Sequence, residues 1–380
     1  MYNTDKILSQ NSKRLKKHFK NINPVFGDTD DPDRFPFFIN GMKKAFLPLA
    51  MKNIPVISYL LKAKSISKFI RSDFFRNNFI SVADLFTHIN MLRLKYDFLF
   101  WIHHNFPESL HFKHVILLIR TLQKLKNDQK PIYLLIRKNE NQDISEIIRW
   151  FFLWHKSFSK PNLNVLTVSP SLSSSIEHKE SYLGYNNLNN PVVKFSKTEI
   201  TSAIFSSSFK AKFWFFPASS PDKCRALNFA FIYLSDMGNW PDSNNENSTK
   251  VINATFPVIL NSPDNGIIID SGPSKRNSSF SIELQAAKNG LSPFKYLYIP
   301  WFHNPDNILK FDLPEEKIKL IHLIREYRSS NSFPRFKNVS GKYLFSLWNR
   351  GVSLEAINWY LAESTFYRYK SQYFNRYPPV

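Results

Sequence analysis

Short apolar runs alternate with amphipathic stretches along most of this chain. Pro131 to Arg137, Leu163 to Val168, Phe229 to Leu234 and Gly266 to Asp270 are nearly continuous apolar segments bounded by polar residues. Such runs predict strands buried on both faces. Tyr96 to Ile102 has the same character and reads as the first strand of the series. Shorter strands are expected near Val192 to Phe195, Ala203 to Phe205 and Phe213 to Pro217, and another from Phe294 to Trp301. Helical spacing marks Ser65 to Met91, Ser109 to Lys126, Asp143 to His155 and Phe280 to Asn289, the last closed by Gly290 in a C-cap position. The Ser- and Asn-rich stretch Pro170 to Asn190 reads as a loop, as does Asp242 to Lys250. After His303 the pattern is helical, over Pro314 to Tyr327 and Ser353 to Tyr369. Strands alternating with helices predict an α/β fold: a mainly parallel sheet with helices on both faces, plus a small C-terminal helical lobe.

Composition narrows the picture. The 380 residues suffice for one large α/β domain or two unequal lobes. Only 9 are Gly, few for a nucleotide-binding α/β protein, which places Gly at its βα turns. The net charge of +21 implies attraction to a polyanion, nucleic acid first, although a generally basic proteome gives a plainer account. Basic residues cluster in Lys13-Arg14-Leu15-Lys16-Lys17-His18-Phe19-Lys20. A single cysteine, Cys224, excludes a disulfide framework and a Cys-based zinc site, and suits a reducing, cytoplasmic setting. No signal-type segment and no run of about 18 apolar residues is present, so no membrane partner is expected. The expected organisation is a basic arm and irregular segment over 1–60, an α/β domain over 61–302, and a helical lobe over 303–380.

The candidate chemistry lies at strand ends. The run Phe229 to Leu234 stops at Ser235-Asp236, which delivers a hydroxyl and a carboxylate to the C-terminal edge of a parallel sheet. Asp236 there suits polarising water or holding Mg²⁺, with Ser235 on the metal or its water; a turn or helix-capping acid is the plainer reading. Ile267-Ile268-Ile269-Asp270-Ser271-Gly272-Pro273 brings a second polar strand end to the same edge. The turn Trp101 to Leu110, after the expected first strand, occupies the place of a phosphate loop, yet it lacks Gly and Lys. A strand-to-helix connection capped by Asn105 or Ser109 is the simpler account of it. No G-x-x-x-x-G-K-[ST] motif occurs anywhere. Arg225, ahead of the acid-bearing strand, is placed to reach phosphate or DNA, or is an ordinary surface residue. The aromatics of Asn358-Trp359-Tyr360 read as core rather than base-stacking residues.

The order of these segments resembles the ATPase domain of the large terminase subunit, the DNA-packaging motor of tailed phages. The resemblance is strongest from Phe213 onward. Phe216 to Asp242, with Ser235-Asp236 and Trp240-Pro241-Asp242, resembles the family's Arg-containing segment and catalytic strand. Asn253 to Pro257 and Ile267 to Pro273 resemble its next helix and coupling motif, Ile299-Pro300-Trp301-Phe302 its strand ending in Pro-Trp, and Gly351 to Tyr360 its lid. The resemblance implies a P-loop NTPase-like sheet, ATP and Mg as cofactors, and double-stranded DNA, a portal and a small terminase subunit or separate nuclease as partners. It implies Asp236 as catalytic acid, Ser235 as Mg helper, Ser271-Gly272-Pro273 as the coupler, and Asn105 and Ser109 along the phosphate site. The sequence departs from the pattern in two places. The phosphate-loop Gly and Lys are missing from the turn after Ile102. Asp236 replaces a Glu, which sets the carboxylate back by about 1.5 Å. No nuclease domain is expected within the chain. A catalytically inactive, DNA-binding or assembly subunit of the same fold is the alternative reading.

Overall fold

The computed structural model describes residues 4–18, 22–39, 43–106, 116–138, 144–158, 164–187, 193–225, 228–241, 246–258, 264–274, 277–304, 306–334, 336 and 339–366. At its centre is an eight-stranded sheet formed by β3 (Ile132–Arg137), β4 (Asn164–Ser169), β5 (Phe195–Lys197), β6 (Ala203–Ser206), β7 (Ala211–Pro217), β8 (Phe229–Leu234), β9 (Gly266–Ser271) and β10 (Lys295–Tyr298). The strand order is β10-β3-β9-β8-β4-β7-β6-β5. Pairing is parallel from β10 through β7 and antiparallel for β6 and β5. β8 and β9 are buried at every position, as expected of runs without polar alternation.

Helices cover both faces. On one face α6 (Phe98–Asn105), α7 (Ile116–Asn127) and α8 (Ile144–Ser157) pack with Ile132, Leu134, Ile136, Phe231 and Tyr233. On the other, α10 (Glu246–Thr255) and α11 (Ser279–Lys288) pack with Leu135, Ile232, Leu234, Ile267 and Ile269. The alternation within β3 and β8 divides their side chains between these two cores.

Two smaller cores flank the sheet. One joins the hairpin β1 (Arg34–Ile39) and β2 (Lys43–Pro48) to α2 (Pro55–Ala63), α3 (Ile66–Ile70), α4 (Asp73–Asn78) and α5 (Val82–Tyr96). The other gathers α12 (Pro314–Glu326), α13 (Gly341–Asn349) and α14 (Leu354–Phe366) around Trp301. The first helix, α1 (Thr4–His18), contributes Ile7 to that C-terminal core, despite the distance along the chain. Asn11 donates to both carboxylate oxygens of buried Glu355, at 3.2 and 2.9 Å, and the Arg14 guanidinium stacks 3.7 Å from the Trp348 ring centre.

Three expectations are corrected. The 96–102 segment is the start of a helix, not a strand: Asp97 caps α6 by accepting from Phe100 N, and Phe98, Leu99, Trp101 and Ile102 are all buried. A helix enclosed on every side shows the same unbroken apolar run as a central strand. The expected loop after Pro170 contains α9 (Leu172–Gly184), whose N-cap Ser171 accepts from Ser174 N. The expected loop through Lys250 contains the first half of α10.

Candidate functional site

The C-terminal ends of β3, β8 and β9 are neighbours in the sheet, and their register sets the site. Ile136 lies opposite Asp270, Arg137 opposite Ser271, and Leu234 opposite Ile269. Lys138 comes one step beyond Arg137, and Ser235 and Asp236 come one and two steps beyond Leu234. A cleft of about 320 Å³ opens there, between this edge, the start of α8 and the flank of α9. Lys138, Ser145, Arg149, His178, Ser235 and Asp236 are among its lining residues.

Asp270 is the hub. It is fully buried, and its oxygens accept three hydrogen bonds. Lys138 Nζ donates at 2.8 Å, the Tyr233 hydroxyl at 2.8 Å, and the Asp236 backbone N–H at 2.6 Å. Because the Tyr233 proton goes to Asp270, the Ser145 hydroxyl, 2.8 Å away, is the donor to the Tyr233 oxygen. α8 is thereby tied through one phenol to the end of β9. Burial works against the Lys138 charge, but the Asp270 carboxylate, its hydrogen bond and the Asp236 charge outweigh it and raise the ammonium pKa. Burial pushes the Tyr233 phenol well up, reinforced by the Asp270 charge, so it stays a neutral donor.

Asp236 stands just past β8 with φ of 50°, in the left-handed region. Its Oδ1 accepts from Gly272 N at 3.3 Å and its Oδ2 from Asn239 Nδ2 at 2.9 Å. Ser271 Oγ accepts from Gly238 N at 3.0 Å. The turns after β8 and β9 therefore interlock in both directions. Gly238 is required here, since a Cβ on it would collide with Ser271 Oγ and Ser274 Cβ. Trp240 Nε1 donates to Ser235 O at 2.9 Å, which fixes the polar strand end from below.

On the opposite wall, Arg149 donates to His178 Nδ1 at 3.3 Å and to the Tyr185 hydroxyl at 3.4 Å. His178 Nε2 lies 3.2 Å from Ser235 Oγ. Burial, with Arg149 and Lys138 adding to it, lowers the His178 pKa to about 3, so the ring is neutral at ordinary pH.

The structure brings Ser235, Asp236, Ser271 and Gly272 together, with Pro273 next along the turn. Asn105 ends α6, turns its amide back to Trp101 O at 2.8 Å, and does not line the cleft. Ser109 lies outside the described residues. Arg225 is exposed, 3.8 Å from Asp222, and is not among the residues lining the cleft. β3 and β4 both reach the cleft ahead of a helix, and the residue following β3 is Lys138. The cleft therefore has a lysine, which the turn after Ile102 does not offer. Sequence reading also passed over Ser145, Arg149 and His178. The signal for Lys138 was present: an apolar run ending in Arg137-Lys138 before a polar stretch and an amphipathic helix.

The donor set fits a phosphate chain. Lys138 and Arg149 supply cations and the first turn of α8 the positive end of a helix dipole, while Glu146 and Glu177 line the same cleft beside them. Among the described residues no three His, Cys, Asp or Glu form a cluster able to hold a metal alone. Magnesium commonly takes one or two carboxylates together with phosphate oxygens, and Asp236 with Ser235 offers that complement.

No protein-family model matches this chain, and no curated relative matches it. Solved structures similar to it are large terminases, the class that the order of its segments resembles. The HK97 bacteriophage large terminase is 12% identical with a TM-score of 0.39, over 62% of this chain and 49% of that one. The Thermus phage P74-26 large terminase ATPase domain is 13% identical with a TM-score of 0.31, over 55% and 86% of the two chains. A thermophilic bacteriophage large terminase, solved in complex with ATP-gamma-S, is 9% identical with a TM-score of 0.33, over 52% and 45%. This chain thus spans about half the length of the HK97 and the ATP-gamma-S-bound large terminases. No helix among the described residues is long and apolar enough to cross a membrane.

Proposed function

We propose that this chain is a terminase-like ATPase domain that moves double-stranded DNA during virion packaging. The observation that carries the reading is the convergence of Lys138, Ser145, Ser235 and Asp236 on one cleft at the C-terminal edge of a parallel sheet. In this reading Lys138 and Arg149 bind the phosphate chain of ATP at the start of α8. Magnesium, held by Ser235 and Asp236, would supply charge neutralisation for the phosphates. Asp236 orients the attacking water and accepts its proton. Ser271 to Pro273 couples the site to motion, because Gly272 N–H rests on the Asp236 carboxylate itself. Portal and small terminase subunit, or a separate nuclease, are the partners of this reading, and its setting is the host cytoplasm.

A second reading has support from one feature. Lys138 is already paired with Asp270, and no glycine loop follows it in sequence. A closed, self-neutralised site suits a non-catalytic DNA-binding or assembly subunit. Calorimetric titration with MgATP, together with phosphate release with and without duplex DNA, separates the two. ATP affinity lost in Lys138→Ala and turnover lost in Asp236→Ala support the motor. DNA binding with no MgATP affinity supports the scaffold.

A further inference from the structure

The polar chain Arg149–His178–Ser235 crosses the cleft from α8 to the end of β8, and its proton order is fixed by chemistry. An arginine has no acceptor, so Arg149 Nη1, 3.3 Å from His178 Nδ1, must donate to it. A neutral ring that accepts at Nδ1 carries its proton on Nε2. That proton points to Ser235 Oγ, 3.2 Å away. The ring has little room to turn otherwise, since its edge packs against the Tyr233 ring at 5.8 Å and 86°. Ser235 Oγ therefore receives a hydrogen bond from the ring, and its own proton lies on the other side, between the cleft and the Tyr233 oxygen, which already accepts from Ser145.

We infer that His178 is a positioning residue, which orients the Ser235 hydroxyl as a donor into the phosphate cleft. Arg149 enforces the tautomer that makes this possible. The chain links the cation on α8 to the hydroxyl beside Asp236, so the groups facing the phosphates are set relative to one another before ligand arrives. This rests on the nucleotide reading of the cleft. An apolar residue at 178 would remove the donor that holds this arrangement, leaving the Ser235 hydroxyl free to keep its proton on the Tyr233 oxygen and offer a lone pair to the phosphates, the wrong polarity for an anion.

Two measurements on the full chain test it. The first is nitrogen-15 NMR of histidine-labelled protein at neutral pH, without nucleotide. The His178 ring is expected as the Nε2–H tautomer, with its Nε2 resonance shifted in Ser235→Ala; an Nδ1–H ring, or no response to Ser235→Ala, overturns the inference. The second is steady-state ATP hydrolysis. His178→Phe is expected to lower kcat roughly tenfold, the scale of an outer-shell partner, with KM changed less than about twofold. His178→Gln, whose amide can both accept from Arg149 and donate to Ser235, is expected to recover most of the loss. An unchanged kcat in His178→Phe, or equal losses in both variants, overturns the inference. A wild-type chain that neither binds nor hydrolyses MgATP defeats the nucleotide reading instead, and the NMR result then decides the orientation of Ser235.

Discussion

The Lys138 ammonium lies 2.8 Å from the Asp270 carboxylate, and that carboxylate has no solvent-exposed surface. Removing the cation leaves a buried anion whose remaining partners are a phenol and one backbone N–H. Lys138→Met is therefore expected to destabilise the protein by about 3–5 kcal/mol in urea denaturation. Replacing both partners, as in Lys138→Met with Asp270→Asn, recovers much of that loss, because the uncompensated charge is gone. The pH dependence has a definite sign. The folded-state pKa of Lys138 is raised above 10.5. Its stabilisation is complete below 10.5 and is lost as pH rises through the folded value, so wild type loses its advantage over the double variant only in strong alkali.

Asp236 joins two demands at one position, a left-handed backbone and a carboxylate in the cleft. Asn tolerates that backbone region, and its side-chain oxygen can still accept from Gly272 N–H. Asp236→Asn is expected to keep the midpoint of thermal unfolding within a few degrees of wild type. Phosphate release falls by about 10²–10⁴, the usual contribution of a general base. Asp236→Ala loses activity equally, and also about 1 kcal/mol of stability from backbone strain. Equal turnover in wild type and Asp236→Asn would remove this residue from the chemistry.

The sheet was legible because β3, β8 and β9 are enclosed on both faces, and continuous apolar runs have few other uses. The acid end of the site was legible for the same reason: Ser235-Asp236 and Asp270-Ser271 interrupt such runs abruptly. The basic end was not. No glycine loop marks it, and this chain offers Lys138 without one. Tyr96 to Ile102 imitates a buried strand because Phe98, Leu99, Trp101 and Ile102, at the start of α6, are buried. Asp97 at its start was a clue, since it caps α6 and pairs with buried Arg34 at 2.7 Å. His178 was hidden because Ser171, Ser173, Ser174 and Ser175 read as loop, whereas Ser171 is an N-cap and the others form the first turn of α9.

A second, half-buried cation lies under the opposite end of the sheet. Lys126 Nζ sits 4.0 Å from the Trp154 ring centre, and burial lowers its pKa to about 7, with Lys95 lowering it further and Asp264 opposing. Lys156, near the same carboxylate, is lowered to about 8 by burial. In the unfolded chain both titrate near 10.5. Between pH 7 and 10.5 the unfolded state binds more protons, so stability rises with pH across that window. Lys126→Met is expected to raise the melting temperature at pH 6 and to flatten its rise toward pH 9. A steeper rise in the variant than in wild type would refute the assignment.

The N-terminal helix is clasped to the C-terminal lobe by Asn11. Its amide donates twice to Glu355, and its Oδ1 accepts from Leu354 N at 2.8 Å, so one side chain caps the start of α14 and neutralises part of a buried carboxylate. Lys317 Nζ completes the set at 2.8 Å from Glu355. Asn11→Leu keeps the volume and removes all three bonds, leaving buried Glu355 with Lys317 as its remaining cation and the Leu354 N–H without its cap. The expected cost is about 2–3 kcal/mol. It should fall on the C-terminal lobe first, because Ile7 and Arg14 pack there while the sheet's two cores contain no residue of α1. Hydrogen exchange resolves this: amides of α13 and α14 lose protection in Asn11→Leu, and those of β8 and β9 keep theirs. Uniform loss across sheet and lobe would mean that α1 stabilises the whole molecule rather than this one lobe.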